Sequence, residues 1–396
     1  MKILQYIGAI NLLAGAGGVK RVFCEMANAL TERRHEVYAV CHTFQIGRPF
    51  YPLDDKVHFV NLDGSGRRKV KPHTWFKAIL PFLPSVCKEI IFDNVEDPFN
   101  EKKGEPLVQF IRDIRPDIVI PFFVGDYFSM LRRPMLDVPV ILSHHMNDRE
   151  FIKSVNTRQR MEKINTCRHL HVLQQCFVPE IQKVYHGSIH VLPNVVPQIA
   201  EDDLADLRTD KAKRTITMIS RLDPGKQQHM LIQAFGRLAK DYPDWTVEIY
   251  GPPSKRYYLR QLERMIVSLD IVGRVKLMGT TRSPLESLHS AEIFAFPSLF
   301  EGFPLALTEA MAVGLPCVGL KTTASVNELI VDGVNGFLTD NTPEDFAAKL
   351  KILMDDQDLR VQMGRAGHEM MKHYAPEKIW DQWENLIVQV VQGSAG

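Results

Sequence analysis

Short apolar runs separated by amphipathic stretches recur along the whole chain, and this alternation restricts the fold more than any other feature. In the first half the runs are "KILQYIGAI", "EVYAVCH", "VHFVNL", "DIVIPFF", "PVILSHH", "HLHVL" and "HVLPN"; in the second they are "TITMIS", "WTVEIYG", "VKLMG", "IFAFPS" and "PCVGL". Several are apolar at nearly every position, the pattern of strands buried on both faces. The stretches between them, notably 19–33, 105–114 and 150–165, have helical spacing. Strands joined by helical crossovers form parallel sheets covered on both sides. The series restarts after "EDDLADLRTDKAKR", a polar, charged segment that suits a linker. The expectation is therefore an α/β chain with two domains, 1–197 and 212–375, and a boundary near 195–212. A final helix, "PEKIWDQWENLIVQVV", carries Trp380, Trp383, Ile387 and Val391 at helical spacing. That face must pack, and residues 376–392 are expected to dock back on the first domain or across both.

A chain of 396 residues is long for one core and comfortable for two. It is 45% hydrophobic and 24% charged, ordinary values for a globular protein, and its net charge of +1 gives no general footprint for nucleic acid. The six cysteines, at 24, 41, 87, 167, 176 and 317, include no C-x-x-C pair. That argues against a zinc knuckle or redox pair and suits a reducing, cytoplasmic setting. The opening "MKILQYIGAINLLAGAGGVK" has a short apolar run that ends in a glycine turn, so it reads as a buried strand and its loop, not a signal peptide. No run of about 18 apolar residues exists, so no membrane span is expected.

Ligands of open parallel sheets collect beyond the carboxyl ends of the strands, which directs attention to four loops. In "NLLAGAGGVKRVFCEMANAL", Gly15, Gly17 and Gly18 let the backbone approach a ligand at a helix N-terminus. The same glycines would serve a tight turn, and Lys20 stands where a dinucleotide fingerprint has its third glycine. The second strand ends in "CHTF", without the acid that would hold a ribose, which disfavours a dehydrogenase. In "VPVILSHHMND", His144 and His145 end a strand, and adjacent strand residues point to opposite sides, so one of the two at most faces a ligand. In "SRLDPGKQQHM", Arg221 ends a strand and Lys226 begins a helix across a Pro224–Gly225 turn. Two cations there make an anion site suited to a pyrophosphate.

The fourth loop, "FPSLFEGFPLALTEAMAVGLPCVGL", places Glu301 and Glu309 around a helix start, with Pro304 as its first residue. The amides near Gly302, Phe303 and Leu305 would be free to donate. Helical side chains lean toward the N-terminus, so Glu309 points back at the same guest. Carboxylates repel phosphate and attract hydroxyls, each hydrogen bond to such a charge being worth about 1.5–3 kcal/mol. A sugar nucleotide satisfies both loops, with hydroxyls on the glutamates and phosphates on Arg221 and Lys226.

With "SRLDPGK" (220–226), "PSLFEGFPLALTEAMAVGLPCV" (297–318), "NELIVDGVNGFL" (327–338) and Gly17–Gly18, the chain resembles the family 4 retaining glycosyltransferases, firmly over 215–375 and less so over 40–115. The resemblance implies the GT-B architecture of two Rossmann-like domains facing across a cleft. It also implies transfer of a sugar, hexosyltransferase-like, from a nucleotide-diphosphate donor, UDP- or GDP-linked, to an acceptor hydroxyl with retention. On that reading Arg221 and Lys226 bind the diphosphate and stabilise the leaving group. Glu301 contacts the transferred sugar, the backbone at Gly302, Phe303, Pro304 and Leu305 contacts that sugar and the phosphates, and Glu309 binds the ribose. Met278 and Gly279 within "MGTTR" hold the base, Gly17 and Gly18 approach the phosphate, and His145 contacts the sugar near the breaking bond. No metal and no cofactor is expected. The segment "KTTASVNEL" lacks the glycines usual in this family, which leaves Thr322 and Thr323 without an assigned role.

The acceptor is expected to be a glycan, lipid-linked or at the cell surface. Arg67, Arg68, Lys69, Lys71 and Lys77 interleave with Trp75, Phe76, Ile79, Leu80 and Phe82, so the stretch 67–82 could rest on an anionic membrane from the cytoplasmic side. A basic loop leading into a packed helix would read the same way. A nucleotide-sugar epimerase of the same architecture, or an inactive nucleotide-sugar-binding protein, are the rival readings. No nucleic-acid partner is expected, and the sequence leaves the oligomeric state open.

Overall fold

The structure is a computed structural model that describes residues 1–64, 98–131, 137–209, 213–281 and 283–394, apart from Ala9, Ala14 and Ala16; for 98–104 the description is of the backbone. The basic, aromatic stretch 67–82 and Arg282 lie outside the described residues. The chain divides into two compact units, one formed by Met1–Pro193 with Trp380–Gly396 and the other by Asn194–Ile379.

In the first unit, β1 (Lys2–Ile7), β2 (Glu36–Cys41), β3 (His58–Asn61) and β4 (Ile118–Pro121) form a parallel sheet of order β3-β2-β1-β4. A second parallel sheet runs β5 (Ile141–His144), β6 (His169–Val172), β7 (Ser188–Val191). A parallel bridge between Val119 and Val140 joins the two sheets. The helix Gly18–Glu32 covers β1 and β2 with Val22, Phe23, Met26, Ala27 and Leu30, spaced by three and four, all buried. Leu4, Tyr6, Val40, Leu107, Ile111 and Val119 pack together on the sheet.

The strands are shorter than their apolar runs: β1 stops at Ile7 because Gly8 opens the loop. The helix read over 150–165 is two helices, Asp148–Ser154 and Arg158–Ile164. The break falls before Thr157, whose hydroxyl accepts from the Arg160 amide at 3.3 Å and restarts the second helix.

In the second unit six parallel strands run β10-β9-β8-β11-β12-β13, comprising β8 (Arg214–Ile219), β9 (Trp245–Tyr250), β10 (Val275–Gly279), β11 (Ile293–Phe296), β12 (Cys317–Leu320) and β13 (Gly336–Thr339). β13 is not evident from the sequence. It is four residues long, and its first position must be glycine, because a Cβ on Gly336 would lie 2.3 Å from the Cys317 carbonyl oxygen. Phe235, Trp245, Phe346 and Leu350 sit in the core between this sheet and its helices.

The carboxy-terminal helix Pro376–Ser394 buries Trp380, Trp383, Leu386, Ile387 and Val390; the buried register ends on Val390, not Val391. Within the first unit it is held by an ion pair from Arg33 to Asp381 (3.0 Å) and a hydrogen bond between His35 Nε2 and Glu384 (3.0 Å), and Trp383 packs on the His171 ring. Among the described residues no helix is long and apolar enough to cross a membrane.

Among its described residues the second unit holds a deeply buried ion pair. Arg360 lies 3.4 Å from Glu292, with side chains 1% and 2% exposed, gives a 2.7 Å hydrogen bond to the Leu353 carbonyl and stacks over Trp245. Removing one partner strands a buried charge, so Glu292→Ala is expected to destabilise this unit by about 3–5 kcal/mol. Differential scanning calorimetry should show its transition at lower temperature; an unmoved transition would contradict the assignment.

Candidate active site

The order of the second sheet reverses between β8 and β11: earlier strands extend to one side and later ones to the other. Such a switch point opens a crevice at the carboxyl ends of the two strands, where their loops diverge. The loop after β8 holds Arg221 to Gln227, and the loop after β11 holds Pro297 to Pro304. They are tied together by the Leu299 amide on the Gly225 carbonyl (2.9 Å) and by Gln227 Nε2 on the Pro297 carbonyl (3.0 Å).

The β8 loop is shaped by its own side chains. Asp223 accepts from the Gly225 amide (3.0 Å) and the Ser254 hydroxyl (2.9 Å). Burial works to raise the Asp223 carboxyl, but those two hydrogen bonds and the charges of Arg221 and Lys255 outweigh it and hold it below the usual range. A 3-10 turn, Pro224–Lys226, follows, then Gln227 in the left-handed region (φ 53°), and only then the helix Gln228–Leu238. Lys226 therefore belongs to the turn and does not begin the helix. Gln228, fully buried, donates to the Ser220 hydroxyl and the Arg221 carbonyl, both at 2.8 Å. Behind the loop, Gly251 (φ +143°) passes so close that a Cβ would lie 1.9 Å from the Ser220 carbonyl oxygen.

Lys226 Nζ lies 2.6 Å from Glu301 Oε1, which also accepts from the Ser298 hydroxyl at 2.6 Å. The sequence had given these two residues to different parts of a ligand; the structure makes them an ion pair. Ser298 is in turn held by Thr323, whose hydroxyl donates to its carbonyl at 2.6 Å. Thr323 thus has a supporting role that no sequence signal announced, as do Ser298 and Gln227.

Pro304 caps the helix Leu305–Ala312 and is not its first residue, while its carbonyl accepts from Leu307 and Thr308. Within the described residues the amides of Gly302, Phe303 and Leu305 donate to no backbone acceptor. The Phe303 ring is buried near Tyr374, at 5.6 Å between centroids, so only its backbone can meet a ligand. Glu309 is buried, in the second turn. Arg221 is exposed, as is Met278; Gly279 (φ +71°) accepts from the Gly251 amide at 2.7 Å. The crevice end of β8 and β11 thus combines two cations, free amides at a helix start and a carboxylate already in contact with one of the cations. That combination can neutralise an anion and accept hydrogen bonds from hydroxyls.

In the first unit the switch lies between β1 and β4. Gly17, extended at φ 173°, caps the helix begun by Gly18 and donates to the Tyr51 hydroxyl at 3.1 Å. Lys20 folds back on the Gly15 carbonyl (3.3 Å), and partial burial pushes its ammonium below the usual range. The Gly8 amide donates to buried Asp126 at 3.1 Å. His144 ends β5 and His145 follows it; both are buried. His144 Nε2 donates to the Asn147 carbonyl (3.1 Å), and burial brings its pKa down to about 4. His145 stacks on Phe122, just past β4, at 4.6 Å and 12°, and Phe122 meets Phe23 of the glycine-loop helix at 4.9 Å. Burial, with His171 and His144 nearby, holds His145 well below the usual imidazole range.

Two family profiles divide the chain: "Glycosyltransferase Family 4" matches residues 16–198 and "Glycosyl transferases group 1" matches 200–370. An uncharacterized glycosyltransferase of Haemophilus influenzae is 26% identical over 95% of this chain and 97% of its own. Among solved structures, S. aureus TarM, crystallised with fondaparinux, alpha-GlcNAc-glycerol and UDP, superposes with a TM-score of 0.75 at 16% identity, over 98% of this chain and 100% of that one. Sucrose-phosphate synthase from Thermosynechococcus elongatus gives 0.77 at 15% identity, over 99% of both chains. The architecture is GT-B, two Rossmann-like domains, and the chain belongs to glycosyltransferase family 4.

Proposed function

We propose that the protein transfers a hexosyl group from a nucleoside-diphosphate sugar to a hydroxyl of a glycan acceptor, with the anomeric configuration retained. The observation that carries this reading is the meeting of the Arg221–Lys226 loop and the Glu301 loop at the β8/β11 switch point. In the reaction the bond from the anomeric carbon to the diphosphate oxygen breaks. The acceptor oxygen bonds to the same face, and its proton passes to the departing phosphate. Arg221, Lys226 and the amides of Gly302, Phe303 and Leu305 offset the charge that builds on the diphosphate. Glu301 receives sugar hydroxyls, Glu309 the ribose, and the backbone at Met278–Gly279 the base. His145 is assigned to the donor sugar and the Gly17–Gly18 turn to a donor phosphate. UDP-sugars are the first donors to assay, since UDP is bound by TarM, with GDP-sugars next. The acceptor is proposed as a lipid-linked or cell-surface glycan in polysaccharide biosynthesis, reached at the cytoplasmic face of a membrane.

The Lys226–Glu301 pair sharpens what substitutions should do. Glu301 pairs with the lysine, so a diphosphate must compete for it. Glu301→Ala should lower turnover by about a hundredfold or more while binding free UDP as tightly as the wild type, or about two- to fivefold more tightly, the scale of a partly exposed ion pair. Calorimetry showing weaker UDP binding in that variant would separate Glu301 from Lys226. Arg221→Ala should weaken UDP by about tenfold or more, as expected for loss of one charge-assisted contact; unchanged affinity would remove Arg221 from the diphosphate. Gly251→Ala contacts no ligand yet should weaken UDP, because its Cβ must displace the Ser220 carbonyl and the loop behind it. A wild-type dissociation constant there would show that loop geometry does not limit binding.

A further inference from the structure

We propose that Ser143 and His171 are positioning residues that fix the proton of His145 on Nε2, leaving its Nδ1 as a bare acceptor for a donor group of the substrate. The proposal rests on the reading of His145 as a substrate-contacting residue and adds the device that sets its polarity. Parallel register places Ser143 of β5 directly beside His171 of β6, and side chains two residues apart share a face, so His145 joins the same row.

The proton positions follow from the partners. His171 Nε2 lies 2.7 Å from the Leu192 carbonyl, which can only accept, so that nitrogen carries hydrogen. Burial brings the His171 pKa down to about 3, the ring is neutral, and its Nδ1 is therefore an acceptor. Ser143 Oγ, 2.8 Å from that Nδ1, donates its one hydrogen to it. The serine oxygen must then accept from His145 Nε2, also 2.8 Å away. A neutral His145 protonated on Nε2 has a lone pair on Nδ1, and that atom is buried with no hydrogen-bond partner among the described residues.

The rings are held in place as well as the protons. Phe122 stacks on His145, and Trp383 lies 4.4 Å from His171 between centroids. Neighbouring titratable groups do not compete. His144 Nε2 is engaged with the Asn147 carbonyl, and His190, beside His171 in the sheet, pairs with His169 at 3.2 Å. A buried acceptor without a partner is unfavourable unless a ligand supplies one. The group bound at Nδ1 is accordingly a donor, a sugar hydroxyl or an amide N–H, and a phosphate or carbonyl oxygen would be repelled there.

The test reads the proton directly. The full chain is labelled with carbon-13 and nitrogen-15 histidine, and long-range proton–nitrogen spectra report each ring's tautomer, assigned by the signals missing from His145→Gln and His171→Asn. Both rings are expected as neutral Nε2–H tautomers between about pH 6 and 8, the range around the free imidazole pKa. Ser143→Ala should turn His145 into a mixture of tautomers while His171 keeps its bond to Leu192. An Nδ1–H form of His145 in the wild type, or an unaltered tautomer in Ser143→Ala, would overturn the relay. With the best donor from a panel of UDP- and GDP-hexoses, Ser143→Ala should lose about ten- to a hundredfold in kcat, the scale of a misplaced contact, with KM nearly unchanged. Ser143→Thr, which keeps the hydroxyl, should recover most of it. Wild-type kcat in Ser143→Ala overturns the positioning role. If no nucleotide sugar is turned over at all, the transferase reading fails, and the tautomer spectra still decide the relay.

Discussion

Parallel pairing of β8 with β11 is the constraint from which the second unit's chemistry follows. Ile216 lies beside Ile293 and Thr217 beside Phe294, so both strands point the same way and deliver their loops to one edge. Because the chain then turns in opposite directions, no crossover covers the gap between those loops. Lys226 of one loop and Glu301 of the other meet there without any sequence proximity. The hydrogen bonds from Leu299 to Gly225 and from Gln227 to Pro297 convert that topological accident into a fixed geometry.

The ion pair of Lys226 and Glu301 satisfies both charges at this edge. An ammonium without a partner in a partly enclosed crevice would collect whatever anion is abundant. Pairing it internally lowers that general affinity, and on the proposed function leaves the discrimination to a guest that brings both phosphate and hydroxyl groups. The hydroxyls can replace the lysine on Glu301 while the phosphate replaces the glutamate on Lys226. Asp223 contributes differently: its carboxyl accepts from the Gly225 amide and the Ser254 hydroxyl and so shapes the turn.

What could be read from the sequence was whatever depends on a run of residues. The apolar runs gave β1 to β12 to within a few positions, and glycine, proline and charge at strand ends located the loops. What escaped depends on single contacts between distant segments. β13 is too short to show a pattern, and its need for glycine arises from the Cys317 backbone. The 150–165 segment kept helical spacing through its break, because a threonine cap interrupts the backbone without disturbing the apolar period. Lys226 sits in a turn because Gln227 takes a left-handed conformation, which nothing in "PGKQQ" requires. The pairing of Lys226 with Glu301, the support from Ser298 and Thr323, and the row Ser143–His171 all need the register of strands that the sequence does not state.

The last helix carries a consequence for how the molecule is made. The first unit is discontinuous: its opening segment ends at Pro193 and its remainder begins at Trp380. A ribosome therefore releases the entire second unit before it supplies Trp383, the ring that closes over His171. The lobe begun first must wait for a helix supplied after the other lobe, and until that helix emerges its His171 ring lacks Trp383, an interval in which a nascent chain is exposed to chaperones and to self-association.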